Sequence, residues 1–139
     1  MIKTLYGILL AISLLFLPCL SYAEEEEGAE VSSAIYIPLK PSFVVNYGSP
    51  GRLKYLKVDV SARLSDGGAA EALRHHLPFI RNNLVMLFAR QTDASLDSYD
   101  GKEALRKDAL LEINKILLEQ DGIEDGVDDV YFDSLIVQK

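Results

Sequence analysis

From Leu56 to Leu64 the chain alternates without a lapse: Leu56, Val58, Val60, Ala62 and Leu64 are apolar, and Lys57, Asp59, Ser61 and Arg63 between them are polar or charged. Successive side chains of a β-strand point to opposite faces, so a period of two prescribes a strand with one buried face and one wet face. Such a strand needs a cover on one side only. The rest of the chain must supply it.

Upstream, "AIYIPLKPSFVVNY" from Ala34 is rich in β-branched and aromatic residues but carries Pro38 and Pro41, which have no N–H to give to a ladder. It predicts a strand at a sheet edge, or a short strand with a break. "GSPGR" at 48–52 is turn chemistry, so an antiparallel hairpin joins the two runs.

Downstream, Ser65 or Asp66 offers an N-cap, and Leu73, Leu77, Ile80, Leu84 and Leu87 recur at spacings of four and three, the stripe of a core-facing helix. Pro78 lies inside that stripe. It has no N–H for the carbonyl of Arg74 and its ring crowds that carbonyl, so the helix must kink or restart there. Val85 and Met86, between Leu84 and Leu87–Phe88, make the end of this helix apolar nearly all round: either two sides are buried, or one faces another subunit.

A second helix is expected from about Asp100, with Glu103 three residues on as a capping box and Lys107 as an i,i+4 partner of Glu103. Its buried stripe is Leu105, Ala109, Ile113, Ile116 and Leu117, and it stops near Gly122. After an acidic, glycine-containing loop, "VYFDSLIV" from Val130 closes with another β-rich run. The order strand, strand, helix, helix, strand predicts an α+β fold: a small antiparallel sheet with two main helices packed on one face.

Residues 1–23 read as a separate segment. One lysine, an apolar stretch and small residues at Ser21 and Ala23 describe a secretory signal peptide, with an uncleaved membrane anchor as the competing reading. Both place the remainder outside the cytoplasm. Cys19 follows Pro18 rather than a small residue, which argues against lipidation, and it is the only cysteine, so the mature chain has no disulfide. Residues 24–33, "EEEEGAEVSS", form an acidic linker with too little apolar surface to order itself. The ordered domain then covers 34–139. Lys3 is the one charged residue of the leader, so residues 24–139 hold 13 basic against 21 acidic side chains, a net charge of −8 with histidine neutral. That surface excludes nucleic acid as a partner.

Candidate chemistry is sparse. His75 and His76 are the only histidines. Adjacent residues on a helix point about 100° apart, so the two cannot share a metal as an i,i+4 pair does. His76 lies beside the apolar stripe and His75 faces away. A metal- or ligand-binding module would use these two with the acidic loop of Asp121, Glu124, Asp125, Asp128 and Asp129. That loop fails the D-x-[DN]-x-[DN]-G pattern of a calcium site. There is no G-x-S-x-G for a serine hydrolase.

Four phrases together, "YLKVDVSARLSD", "EALRHHLPFIRNNLVMLFARQT", "GKEALRKDALLEINKIL" and "VDDVYFDSLIVQ", resemble the periplasmic domain of the flagellar basal-body-associated FliL proteins. The likeness covers about residues 35–138. It implies a protein without catalytic residues or cofactor, with a stomatin-type (SPFH-like) α+β domain in the periplasm behind one inner-membrane helix. It also implies assembly as a homo-oligomeric ring beside the ion-conducting stator units, in support of torque generation or swarming. Leu77, Pro78, Ile80, Arg81, Asn114, Tyr131, Phe132 and Gln138 match the family pattern, mainly as fold determinants, with Arg81 the exposed contact among them. Family members usually carry a cytoplasmic tail before a retained anchor, whereas this sequence starts three residues before its apolar segment. A cleaved leader would make it a soluble periplasmic relative. The alternative function is a soluble periplasmic ligand- or metal-binding module unrelated to the motor.

Overall fold

The computed structural model describes residues 33–48 and 50–139; the leader and all but the last residue of the acidic linker lie outside them. The alternating run is the centre of the sheet. It forms β3 (Lys54–Leu64), with every second residue from Leu56 to Leu64 buried. β4 (Val127–Gln138) runs antiparallel along it, from Tyr55↔Gln138 to Leu64↔Val127.

β1 (Ile35–Pro38) and β2 (Phe43–Tyr47) are also both antiparallel to β3, with Ile35 opposite Leu64 and Phe43 opposite Val58. A strand has two edges and β4 occupies one, so β1 and β2 share the other as halves of one interrupted edge strand. Between Pro38 and Phe43 the chain advances five residues while β3 advances three, from Ser61 to Val58. The break falls where Pro38 and Pro41 deny the ladder its donors. Leu39 fills it by entering the core and donating its N–H to the Val60 carbonyl at 2.8 Å.

The helices cover the apolar face. α1 (Gly67–His75) is capped by Asp66, whose side chain accepts from Ala69 N–H at 2.9 Å. α2 (Leu77–Ala89) starts afresh after His76, with Pro78 in its first turn, where a missing N–H goes unnoticed. The first main helix is therefore two helices. Leu73, Ile80, Leu84 and Leu87 are buried as the stripe requires, and Leu77, at the junction, is half-buried.

A short helix, α3 (Asp93–Asp97), had no counterpart in the sequence reading; Thr92 and Ser95 close a capping box around its start. α4 (Tyr99–Asp121) buries all five residues of its expected stripe and ends at Gly122, which adopts the left-handed conformation with φ 68°. Its cap differs from expectation. Ser98 rather than Asp100 accepts the Gly101 N–H, at 3.0 Å, and Glu103 bonds to Arg106 one turn on instead of serving a capping box or pairing with Lys107. The result is an α+β fold with a small antiparallel sheet and several helices on one face.

Candidate interaction site

Two clamps tie the helical layer to the sheet, and both use residues of the family pattern. Arg81, on α2, donates from Nη1 to the Leu39 carbonyl at 2.6 Å and the Pro41 carbonyl at 2.7 Å. These carbonyls lie in the strand break, which has no ladder partner for them. The guanidinium also lies 4.2 Å from the centre of the Phe43 ring, and burial lowers its pKa from the ordinary value. Arg81 is thus half-buried, with its guanidinium committed to the strand break and the Phe43 ring. Phe43 meets Phe88 edge-on at 5.3 Å and Phe88 meets Phe132 at 5.9 Å, so Arg81 and Phe132 end one aromatic column through the core.

Asn114 is the second clamp. Its Nδ2 donates to the Val127 carbonyl and its Oδ1 accepts the Val127 N–H, both at 2.9 Å. One amide thereby fixes the first residue of β4 to α4. Ile80 is fully buried, Pro78 is exposed at the start of α2, and Tyr131 is half-buried on the outer sheet face, 6.1 Å from Tyr36. Gln138 is exposed and lines a shallow depression on that face with Val44, Tyr55, Lys57 and Ile136.

The histidines part as their positions on the helix require. His75 is exposed and His76 half-buried, with the rings edge-on at 4.7 Å. His76 Nε2 is 2.8 Å from Asp121 Oδ2, at the end of α4, but makes no aligned hydrogen bond. Among the described residues no group of three or more His, Cys, Asp or Glu side chains is placed to hold a metal ion.

Two polar clusters were missed in the sequence. Arg106 on α4 holds Glu103 and Asp129 and donates to the Val130 carbonyl at 3.2 Å. Hydrogen bonding to Glu103, then attraction to Asp129, raises its pKa, and the same bond lowers that of Glu103. Only the i,i+3 spacing of Glu103 and Arg106 was legible beforehand. Asp93, opening α3, accepts from Lys54 and from Tyr47, the latter at 3.0 Å. Those bonds, Lys54 first, lower its pKa, while burial and then Asp93 raise that of Tyr47.

With these polar groups committed internally, the prominent outward features are apolar. The end of α2 divides: Leu84, Leu87 and Phe88 are buried, while Val85 and Met86 are exposed, Met86 at 56%. Phe79 and Met86 are seven residues apart on α2, and Leu111, 67% exposed, and Leu118 are seven apart on α4, opposite its buried stripe. Asn83 Nδ2 donates to Glu112 Oε1 at 2.9 Å, linking the two helices.

A family model described as "Flagellar basal body-associated protein FliL" matches residues 36–138. The flagellar protein FliL of Aquifex aeolicus (strain VF5) is 26% identical over 104 residues, 75% of this chain and 62% of the relative. That of Escherichia coli (strain K12) is 30% identical over 101 residues, 73% of this chain and 64% of the relative, and that of Shigella flexneri has the same figures. The chain thus spans less than two thirds of the length of these relatives. Among the described residues no helix is long and apolar enough to cross a membrane.

Proposed function

Since this chain belongs to the FliL family of flagellar basal-body-associated proteins, we propose that it is a non-enzymatic accessory of the flagellar motor which supports stator function through protein–protein assembly. Its domain at 34–139 works in the periplasm, delivered by the leader at 1–23 and spaced by the linker at 24–33. It assembles as a homo-oligomeric ring, and its fold is of the stomatin type, one sheet covered on one side. Whether the leader is removed decides between a free periplasmic protein and one held at the inner membrane.

The observation that carries this reading is the division of labour among the side chains. Arg81, Asn114 and Arg106 are engaged in holding helices to strands, and the outward features are the apolar pairs Phe79 and Met86, Leu111 and Leu118. An apolar surface rimmed by charge is what a protein partner recognises.

Deletion of the gene, with a complemented strain as control, tests it. The expected outcome is reduced soft-agar spreading and slower swimming under viscous load with a normal number of filaments. Unchanged motility under load would overturn the proposal.

A further inference from the structure

α4 and the turn that follows it enclose a shallow groove of about 370 Å³. Leu111, Asn114, Lys115 and Leu118 line it from α4, and Glu124 and Asp125 line it from the turn. Leu111 is 67% exposed and Leu118 47%, so the groove offers apolar surface that the core does not use. Its polar members on α4 are engaged: Asn114 holds Val127, and Lys115 lies 4.0 Å from Glu119. Among the described residues, neither Glu124 nor Asp125 has an ion-pair or side-chain hydrogen-bond partner.

The turn is tied at both ends. Gly122 donates its N–H to the Leu118 carbonyl at 3.0 Å and Ile123 donates to the Leu117 carbonyl at 3.3 Å, while Asn114 fixes Val127 beyond the turn. Between them Asp125 takes a left-handed φ of 48°, unfavourable for a residue other than glycine. Gly126 is packed so closely that a Cβ would lie 2.8 Å from Ile123 Cγ2 and 3.0 Å from Ala69 Cβ. The backbone that carries the two carboxylates is therefore set beside the leucines before any partner arrives.

We infer that this groove takes one amphipathic helix of a partner protein, apolar along one side and basic beside it. Spacing selects a helix: Leu111 and Leu118 stand two turns apart on α4, about 10 Å, which matches apolar residues seven apart on a second helix laid alongside. Charge selects the flank: Glu124 and Asp125 attract lysine or arginine and repel an acidic helix. A second copy is a poor source of such a flank, since residues 24–139 carry a net charge of −8. The inference rests on the reading that the outer helical surface meets a protein, and it names what that protein presents.

The test uses the purified full chain, in nanodiscs of neutral lipid if it stays with the membrane, with empty discs as the blank. The probe is a synthetic leucine–lysine peptide of about 14 residues, roughly four helical turns with leucines along one side. It should bind, and its leucine–glutamate counterpart should not. Glu124→Gln with Asp125→Asn should weaken binding about fivefold, and Leu118→Ser about tenfold, with thermal midpoints unchanged because all three side chains are exposed. Glu71→Gln with Asp100→Asn removes the same charge from exposed sites outside the groove and should cost less than about twofold. An equal loss in that control pair would overturn the inference, as would equal binding of the glutamate peptide. Self-association of the wild type that Glu124→Gln with Asp125→Asn abolishes would overturn it in favour of a second copy. These readouts use purified protein, so they stand or fall apart from the motility of a deletion strain.

Discussion

Asn114 shows how much of this fold rests on single side chains. Its amide replaces two ladder hydrogen bonds at the first residue of β4, so removing it strands a donor and an acceptor together. Asn114→Ala is expected to cost about 2 kcal/mol in urea denaturation, within the range for leaving buried polar groups unpaired. Asn114→Asp should also destabilise, since a carboxylate still accepts the Val127 N–H but repels the Val127 carbonyl. Gly101 matters through what it lacks. A Cβ there would lie 2.1 Å from the Ser95 carbonyl oxygen, which is backbone and cannot step aside. Gly101→Ala is therefore expected to force α3 away from α4 and lower the thermal midpoint, although alanine is the better helix former. Neither role can be read from the stripe pattern: each depends on a partner outside it. The family resemblance marked Asn114, and nothing marked Gly101.

Elements with a full period were legible and short ones were not. β3 and the stripe of α4 stand as the alternation and the 3.6 period require, because each repeats over nine or more residues. The interruption between β1 and β2 was foreseen as one of two outcomes, since proline denies donors but does not say where the chain rejoins the sheet. α3 has five residues, too few to show a period, and polar ties hold it: Asp93 to Tyr47 and Lys54, Asp97 to Lys139. Those ties make its docking sensitive to acid. The folded-state pKa of Asp93 is lowered, by Lys54 first and Tyr47 second. A depressed carboxylate contributes stability that is fully present above its unfolded value, about 3.9, and is lost as pH falls through the folded one. Asp93→Asn should therefore lower the urea midpoint at pH 7, and the gap between variant and wild type should shrink as pH drops below about 4. A gap that persisted unchanged into that range would show that the carboxylate's charge is not what holds α3.

On the scale of the whole molecule, one face of the sheet and the inner faces of the helices make a single core, and apolar residues left over fall on the outside of the helical layer, at Phe79, Val85, Met86, Leu111 and Leu118, and on the outer face of the sheet, at Tyr36, Val44, Tyr55 and Ile136. The layer was legible from the sequence. Its surplus was not, because a run such as Leu84 to Phe88 looks the same whether its outer members are buried or bare. That difference separates stability from function. Leu84→Glu puts an unpaired charge into a fully buried site and should abolish folding. Met86→Glu and Leu111→Glu place the same charge in water, where the cost to stability should stay within about 0.5 kcal/mol. If the outer helical surface is the contact with the motor, these two variants should fold, accumulate normally and still fail to complement a deletion strain in soft agar. Asp108→Lys, on the same helix as Leu111, serves as a control for charge alone and should complement. Full complementation by both glutamate variants would exclude this surface as the motor contact and direct attention to the outer face of the sheet around Val44 and Tyr55, the next apolar area a partner would cover.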